Sequence, residues 1–326
     1  MRKVILSATQ AGDLPFDRRF DCLSDSFEAD PAAILREHVL PRIEHSLGLL
    51  RRCDNRGRAL ALTNEDVCGL AYFLLADAAL FDELAVLSAE AAEERYSKLA
   101  AERDMYVAAC YFKRIGGKNY NVASVFGPNG QILGEYRKTH LPPNEMWQAE
   151  DGDCLNVIEL DFCKAGALIC YDMMFPEPAS VLALSGAELI LHPTAGYGWY
   201  DSIGEATLRT RANDNSVYIL TAKNYVFNGA GKSGVIDRWG QTLADAGFYR
   251  DAVVSKEIDL DEPKTQPGWY YPSQMSGHAD VRARYLEERR PELYGALTAP
   301  AKRLRVPDGL ERAELREKVR KGECRW

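Results

Sequence analysis

Short apolar runs in the first third of the chain predict buried β-strands. The runs are Val4–Ala8, Ala59–Thr63 and Met105–Phe112. Between them, residues 34–50 carry apolar side chains three or four positions apart, which is the period of an amphipathic helix, and the Ala- and Glu-rich residues 85–103 also favour a helix. The polar residues 11–31 are typical of a loop.

The middle of the chain repeats this alternation of strands and helices. The predicted strands are Ala165–Cys170, Glu188–His192 and Val217–Thr221. Pro176 suits the first turn of a helix that Gly186 closes, and residues 204–214 predict the next helix. Strands that alternate with helices predict an α/β fold whose sheets are covered by helices.

Two predicted hairpins are similar in sequence at an offset of 110 residues, from Val125 to Val235. VFGPNGQILG aligns with VIDRWGQTLA, and each turn carries a Gly, Gly130 or Gly240, where a left-handed residue is expected. A match this short is compatible with chance. The alternative interpretation is a pair of pseudo-symmetric sheets.

Composition narrows the class of protein. The chain has 326 residues, of which 46% are hydrophobic and 27% charged, so a disordered chain is disfavoured. A net charge of −8 argues against nucleic acid as a partner. The N-terminal apolar run is too short for a signal peptide, and no stretch approaches the length of a membrane span, so we expect a cytoplasmic protein without membrane contact.

Eight cysteines are too few for a disulfide scaffold in a chain of this length, and no CxxC motif occurs. The five histidines are scattered, so local spacing indicates no metal site. We therefore expect no metal.

Three chemically useful side chains stand at predicted strand ends. Cys170 precedes a turn into a helix, where backbone N–H groups lower a thiol pKa and can hold an oxyanion. Lys138 ends the first hairpin, and Glu65 ends an apolar strand. Individually these residues fit a buried inert thiol, a surface lysine and a helix-capping carboxylate. Their combination points to a catalytic site at the carboxyl edge of the sheets.

The motifs around these residues resemble those of the nitrilase superfamily of carbon–nitrogen hydrolases. Asn64 departs from the family pattern, which usually has Pro there. The resemblance is carried by ALALTNE (59–65), YRKTHLPPNE (136–145), GALICYDMMFPE (166–177), LILHPTA (189–195), RTRANDNSVYI (209–219) and GKSGVIDRWG (231–240).

The resemblance implies a four-layer α-β-β-α sandwich in residues 1–260, and an extension, 261–326, that would contact another subunit of a homodimer or larger homo-oligomer. It also implies a Glu65–Lys138–Cys170 triad with Glu145 as a second carboxylate. Cys170 would attack a carbonyl carbon to form a thioester, and Glu65 would act as the general base. The Lys138 ammonium and the Tyr171 N–H would stabilise the oxyanion.

The residues after Cys170 favour one branch of this family. Nitrile-cleaving members typically have Trp-Glu there, whereas this chain has Tyr171-Asp172, which resembles the amidase and carbamoylase branches. Many of those have Arg where Met174 stands, so Met174 suggests a more apolar substrate pocket. The predicted substrate-binding residues are Tyr171, Met174, His192, Trp147, Tyr197 and Trp199.

The hypothesis from sequence is thus a thiol hydrolase of a small amide or ureide, with no cofactor. Three alternatives stay open at this stage. The protein could be a nitrile-hydrolysing member of the same family, or a Cys-His hydrolase with His140 or His192 as the base. It could also be a non-catalytic scaffold that kept the fold.

Overall fold

The computed structural model describes residues 1–12, 14–24, 27–196, 201–224, 231–248, 250–264 and 280–299. The chain divides into two compact units, Met1–Glu262 and Pro263–Trp326. In the described part of the second unit, a helix spans Val281–Glu287 and a short one spans Gly295–Thr298. No helix among the described residues is long and apolar enough to cross a membrane.

The first unit contains two sheets of six strands. The first sheet has the order β12-β1-β2-β3-β4-β5, in which β1, β2 and β3 run parallel and the other strands pair antiparallel. Its strands are β1 (Lys3–Gln10), β2 (Ala59–Leu62), β3 (Tyr106–Ile115), β4 (Lys118–Phe126), β5 (Ile132–Arg137) and β12 (Ala252–Asp259).

The second sheet has the order β11-β10-β9-β8-β7-β6, with β7, β8 and β9 parallel. Both sheets therefore have three parallel strands, a hairpin on one side and an antiparallel edge strand on the other. The strands are β6 (Val157–Glu159), β7 (Lys164–Ala167), β8 (Leu189–Thr194), β9 (Tyr218–Lys223), β10 (Gly234–Ile236) and β11 (Thr242–Asp245).

The two hairpins occupy equivalent places in the two sheets. The register shifts between Val125 and Phe126 in the first hairpin and between Val235 and Ile236 in the second, so the irregularity recurs at the aligned position. Gly130 and Gly240 both take a positive φ, at 80° and 73°. The sequence similarity of the hairpins therefore corresponds to a pseudo-symmetric pair of sheets.

Helices cover both outer faces, which confirms the predicted α-β-β-α sandwich. The helices α2 (Leu40–Leu50) and α3 (Ala78–Arg103) pack on the first sheet, and α4 (Pro176–Leu184) and α5 (Asp201–Asn215) pack on the second. Successive residues of β1 alternate between the layers, since Ile5 faces the helices whereas Val4 and Leu6 face the second sheet. The helix α1 (Pro31–Ile34) precedes α2, to which a π-helical turn (Leu35–Val39) joins it.

One predicted strand ends earlier than its apolar pattern indicated. β7 stops at Ala167, and Cys170 instead opens a 3₁₀ turn, Cys170–Met174, with φ at 49°. Periodicity cannot distinguish a buried turn from a buried strand, because both are uniformly apolar. The edge strands β6 and β12 were not predicted either, since β6 has three residues and β12 is mostly half-exposed.

A pair of glycine substitutions tests the hairpin geometry. We expect Gly240→Ala to lower the free energy of unfolding by about 1–3 kcal/mol, because a left-handed backbone disfavours a side chain. In addition, the new Cβ would lie 2.5 Å from the carbonyl oxygen of Arg209. Urea unfolding measures the change.

Gly48→Ala is the matched control. Gly48 lies inside α2, and a Cβ added there would have open space within 4 Å, so this change should raise stability by about 0.5–1 kcal/mol. Equal effects of the two substitutions would contradict this account of the turn.

Candidate active site

Segments that follow strands of both sheets bring four predicted catalytic side chains together. Glu65 follows β2, Lys138 follows β5, Cys170 follows β7, and Glu145 opens a 3₁₀ turn, Glu145–Trp147. Lys138 is completely buried, and the exposed fractions of Glu65, Glu145 and Cys170 are 3%, 7% and 6%. These groups therefore interact with little screening by water.

The Lys138 ammonium is held between the two carboxylates. Its Nζ donates to Glu65 Oε1 over 2.7 Å and to Glu145 Oε1 over 2.5 Å. A buried ammonium is stable only when it is paired and hydrogen-bonded, and here both conditions are met. Burial alone would lower the pKa of Lys138, but the charges of Glu145 and Glu65 outweigh it and raise that pKa well above its ordinary value.

Asn121 on β4 connects the two carboxylates. Its Nδ2 donates to Glu65 Oε1 over 2.8 Å and to Glu145 Oε2 over 3.3 Å. The second oxygen of Glu65, Oε2, accepts from the backbone N–H of Ala195, which follows β8 of the other sheet, over 2.8 Å. The position of Glu65 is thus set by partners from both sheets.

Their surroundings push the pKa values of the two carboxylates apart. Burial tends to raise the pKa of Glu65, but the charge and hydrogen bond of Lys138, together with hydrogen bonds from Cys170 and Ala195, lower it. Burial raises the pKa of Glu145, and the negative charge of Glu65 adds to this effect, so Lys138 compensates it only in part. Glu65 is therefore the more readily ionised of the two carboxylates, as a base requires.

Cys170 sits in a strained turn beside a hydroxyl group. Its φ of 49° lies in the left-handed region, which costs a non-glycine residue about 1 kcal/mol or more. The Thr194 hydroxyl donates to Cys170 Sγ over 3.0 Å and accepts from the N–H of Gly196 over 3.1 Å. A hydroxyl donor at the sulfur stabilises the thiolate form.

Asp172 connects the turn of Cys170 to the segment of Lys138. Its buried carboxylate accepts from the N–H of Ile169 over 2.9 Å, from the N–H of His140 over 2.8 Å and from Tyr136 Oη over 2.8 Å. These donors lie close to Cys170 and Lys138 in the sequence. The carboxylate therefore positions the thiol relative to the ammonium.

A cavity of about 510 Å³ opens onto these side chains. Glu65, Glu145 and Cys170 form its catalytic wall, together with Asn121. The remaining walls are more apolar than polar and include Leu14, Val67, Tyr72, Leu74, Phe112 and Pro142. A largely apolar cavity with a few convergent polar groups is typical of a small-molecule site.

The residues predicted to bind substrate are placed differently from the catalytic ones. Tyr171 and Met174 lie in the turn after Cys170, Met174 is 38% exposed, and Trp147 ends the turn of Glu145. The described residues that form the cavity wall include neither these three residues nor His192. Tyr197 and Trp199 lie outside the described residues.

The two histidines considered as alternative bases have other contacts. His192 Nε2 lies 3.5 Å from the Cys170 carbonyl oxygen, which can only accept, so Nε2 carries the proton and Nδ1 accepts from Thr221. Burial lowers the pKa of His192 to about 4. The Nδ1 of His140 contacts Asp172 Oδ1 at 2.9 Å. These contacts favour structural roles for both rings.

Sequence reasoning missed Asn121, Thr194 and Asp172 as parts of the site. Asn121 is buried in β4, but Lys118, Asn119 and Ser124 of the same strand are also polar, so the sequence gives only a weak signal for it. Thr194 and Asp172 carry no comparable signal, because each acts through contacts that the turn geometry creates.

Stability should fall as the pH drops from about 6.5 to about 4. His38 and His192 are buried, and burial lowers both pKa values to about 4, so acid protonates these rings in the unfolded chain before it does so in the folded one. Each ring then lowers the free energy of unfolding by about 2 kcal/mol between pH 7.5 and about pH 5. Urea unfolding of His192→Gln should show a pH dependence smaller by that amount, and an unchanged dependence would contradict this assignment.

Comparison with known proteins agrees with this geometry. The profile of the family described as carbon–nitrogen hydrolase matches residues 69–265, more than half of the chain. A protein of Pseudomonas protegens named "Hydrolase in pqqF 5'region" is 37% identical over 194 residues, which are 57% of this chain and 62% of that protein. The human omega-amidase NIT2 is 34% identical over 189 residues, 51% of this chain and 66% of that protein. The alignments thus span less than two thirds of the length of these relatives.

Solved structures show the same fold. The carbon–nitrogen hydrolase of Helicobacter pylori superposes with a TM-score of 0.72 at 21% identity and covers 92% of this chain and 99% of its own. The amidase of Nesterenkonia sp. AN1, solved as a double mutant with acrylamide, gives a TM-score of 0.65 at 19% identity, with 91% and 98% covered. The family profile begins just after Glu65 and includes Lys138, Glu145 and Cys170. The chain belongs to the carbon–nitrogen hydrolase family of the nitrilase superfamily.

Proposed function

We propose that this chain hydrolyses a non-peptide C–N bond of a small amide or N-carbamoyl compound through a thioester at Cys170. The observation that carries the proposal is the placement of the Lys138 ammonium between Glu65 and Glu145 at the wall of the cavity that also exposes Cys170. Base and nucleophile then face one small-molecule cavity, and the cation is hydrogen-bonded to two carboxylates of its wall.

In the first half of the reaction, Cys170 Sγ attacks the carbonyl carbon while its proton passes to Glu65. The carbonyl oxygen becomes an oxyanion, which the Lys138 ammonium and the Tyr171 N–H stabilise. Glu65 then gives its proton to the leaving nitrogen. The C–N bond breaks, ammonia or an amine departs, and a thioester remains on Cys170.

In the second half, water attacks the thioester carbon while Glu65 accepts a proton from it. The C–S bond breaks, and Glu65 returns the proton to the sulfur as the acid product leaves. Glu145 takes no proton in this scheme. Glu145 holds Lys138 in place, and its negative charge, added to that of Glu65, keeps the ammonium protonated.

Several features favour an amide over a nitrile as the substrate. The relatives include omega-amidases, and a structural neighbour is an amidase solved with acrylamide. Tyr171-Asp172 also stands where nitrile-cleaving members typically have Trp-Glu. We further propose that residues 261–326 contact a second subunit. Tyr171 would contribute to the substrate site through its backbone N–H, whereas Met174, His192 and Trp147 are not part of the described cavity wall. A substrate-binding role for Tyr197 and Trp199 stays a prediction.

Replacement of the nucleophile tests the proposal. We expect Cys170→Ser to fold and to lose ammonia release from its best amide by about a thousandfold or more, because the hydroxyl is a far weaker nucleophile at neutral pH. The matched control is Cys53→Ser, since Cys53 is buried at the end of α2, where its thiol contacts the carbonyl of Leu49. Full turnover by Cys170→Ser would refute the thioester mechanism.

Alkylation rates separate an enzyme from a scaffold protein. Iodoacetamide should modify Cys170 first, because its sulfur opens onto the cavity beside Glu65 and accepts a hydrogen bond from Thr194. Exposed Cys154 should react at the rate of an ordinary thiol and serves as an internal reference. Uniformly slow thiols would support the scaffold alternative, and nitriles turned over faster than amides and ureides would overturn the branch assignment.

A further inference from the structure

The side-chain amide of Asn121 is held by a buried thiol that the reaction does not use. We propose that Cys110 is a positioning residue, whose thiol fixes the orientation of Asn121 and thereby the spacing of Glu65 and Glu145. This inference rests on the proposed function of that site.

Cys110 and Asn121 are diagonal neighbours on one face of the β3–β4 pair. Cys110 is opposite Ala123 in the register, and Asn121 lies two positions along the same face of β4, within diagonal reach. Cys110 Sγ lies 3.2 Å from Asn121 Oδ1, and both side chains are almost completely buried.

The chemistry assigns a direction to this contact. Oδ1 can only accept, so the thiol donates to it, and Nδ2 is then directed at the carboxylates. Burial raises the pKa of Cys110 well above its ordinary value, so the thiol keeps its proton. A rotated amide would instead place Oδ1 against the oxygens of Glu65 and Glu145.

Loss of the thiol would leave Oδ1 with no hydrogen-bond donor among the described residues. A buried acceptor without a donor is unfavourable, so the amide would turn or withdraw to find one. The backbone of Asn121 cannot follow, because its carbonyl accepts from the N–H of Lys138 over 2.9 Å. The effect is therefore confined to the side chain and to the carboxylates it joins.

The electrostatic consequence has a definite sign. Asn121 donates to Glu65 Oε1 as well as to Glu145 Oε2, and a donor to the ionised form of a carboxylate lowers its pKa. Loss of these hydrogen bonds therefore raises the pKa of the base Glu65 as well as that of Glu145. The acidic limb of the kcat/KM profile should then move to higher pH, because that limb reports the ionisation of the base.

The experiment compares the pH profiles of Cys110→Ala, Cys110→Ser and Cys53→Ala with that of the unmodified chain. For Cys110→Ala we expect kcat/KM to fall about tenfold and the acidic limb to rise by about half a pH unit. Cys110→Ser keeps a donor and should recover most of this loss. Cys53→Ala removes a buried thiol far from the carboxylates and should leave the profile unchanged.

A double-mutant cycle isolates the route through Asn121. If Cys110 acts only by orienting that amide, Cys110→Ala should cost little further activity once Asn121→Ala is present. Additive losses, or a fall in kcat/KM with no shift of the acidic limb, would overturn the inference. Its failure leaves the proposed function standing if Cys170→Ser is still inactive, so the two outcomes are distinguishable.

Discussion

The site depends on burying one ammonium beside two carboxylates. An ionised side chain removed from water is unfavourable unless charge and hydrogen bonds replace the lost solvation. Lys138 finds both in Glu65 and Glu145. Two carboxylates beside one ammonium leave one negative charge unpaired, and N–H donors of Asn121 and Ala195 stabilise it. Much of the surrounding architecture places these carboxylates and N–H donors around Lys138.

The duplicated architecture explains how those partners meet. Each sheet places the carboxyl ends of three parallel strands at one edge, and chemistry collects at such edges. The first sheet supplies Glu65, Lys138 and Asn121, while the second supplies Cys170, Thr194 and Ala195. The hydrogen bond from Ala195 to Glu65 joins groups that are 130 residues apart. The site therefore exists only when both sheets are packed face to face.

Two of the described non-glycine residues with a positive φ lie where reacting groups leave the sheets. Cys170 has a φ of 49°, and Asp66, directly after Glu65, has a φ of 50°. Each left-handed turn is held by a carboxylate that accepts backbone N–H groups, Asp172 for the first and Asp66 itself for the second. These hydrogen bonds offset the unfavourable backbone geometry, and they direct the adjacent side chain into the site.

Local signals in the sequence were enough for most of the strands, for both hairpins and for the four predicted site residues that the structure brings together. The buried strands are short apolar runs, and the helices repeat apolar residues every three or four positions because one face is buried. The motifs around Lys138 and Cys170 are contiguous. Short edge strands such as β6 escaped, because three residues carry no period.

The tertiary structure alone decided which neighbours tune the site. Cys110 and Asn121 are 11 residues apart, and Thr194 is 24 residues from Cys170, so their partnership depends on strand register and on a turn with positive φ. A hydrogen bond requires two atoms within about 3 Å, and sequence spacing specifies no such distance between different elements. Residue type thus determined which hydrogen bonds and charges each side chain can supply, and packing determined which partner each side chain contacts.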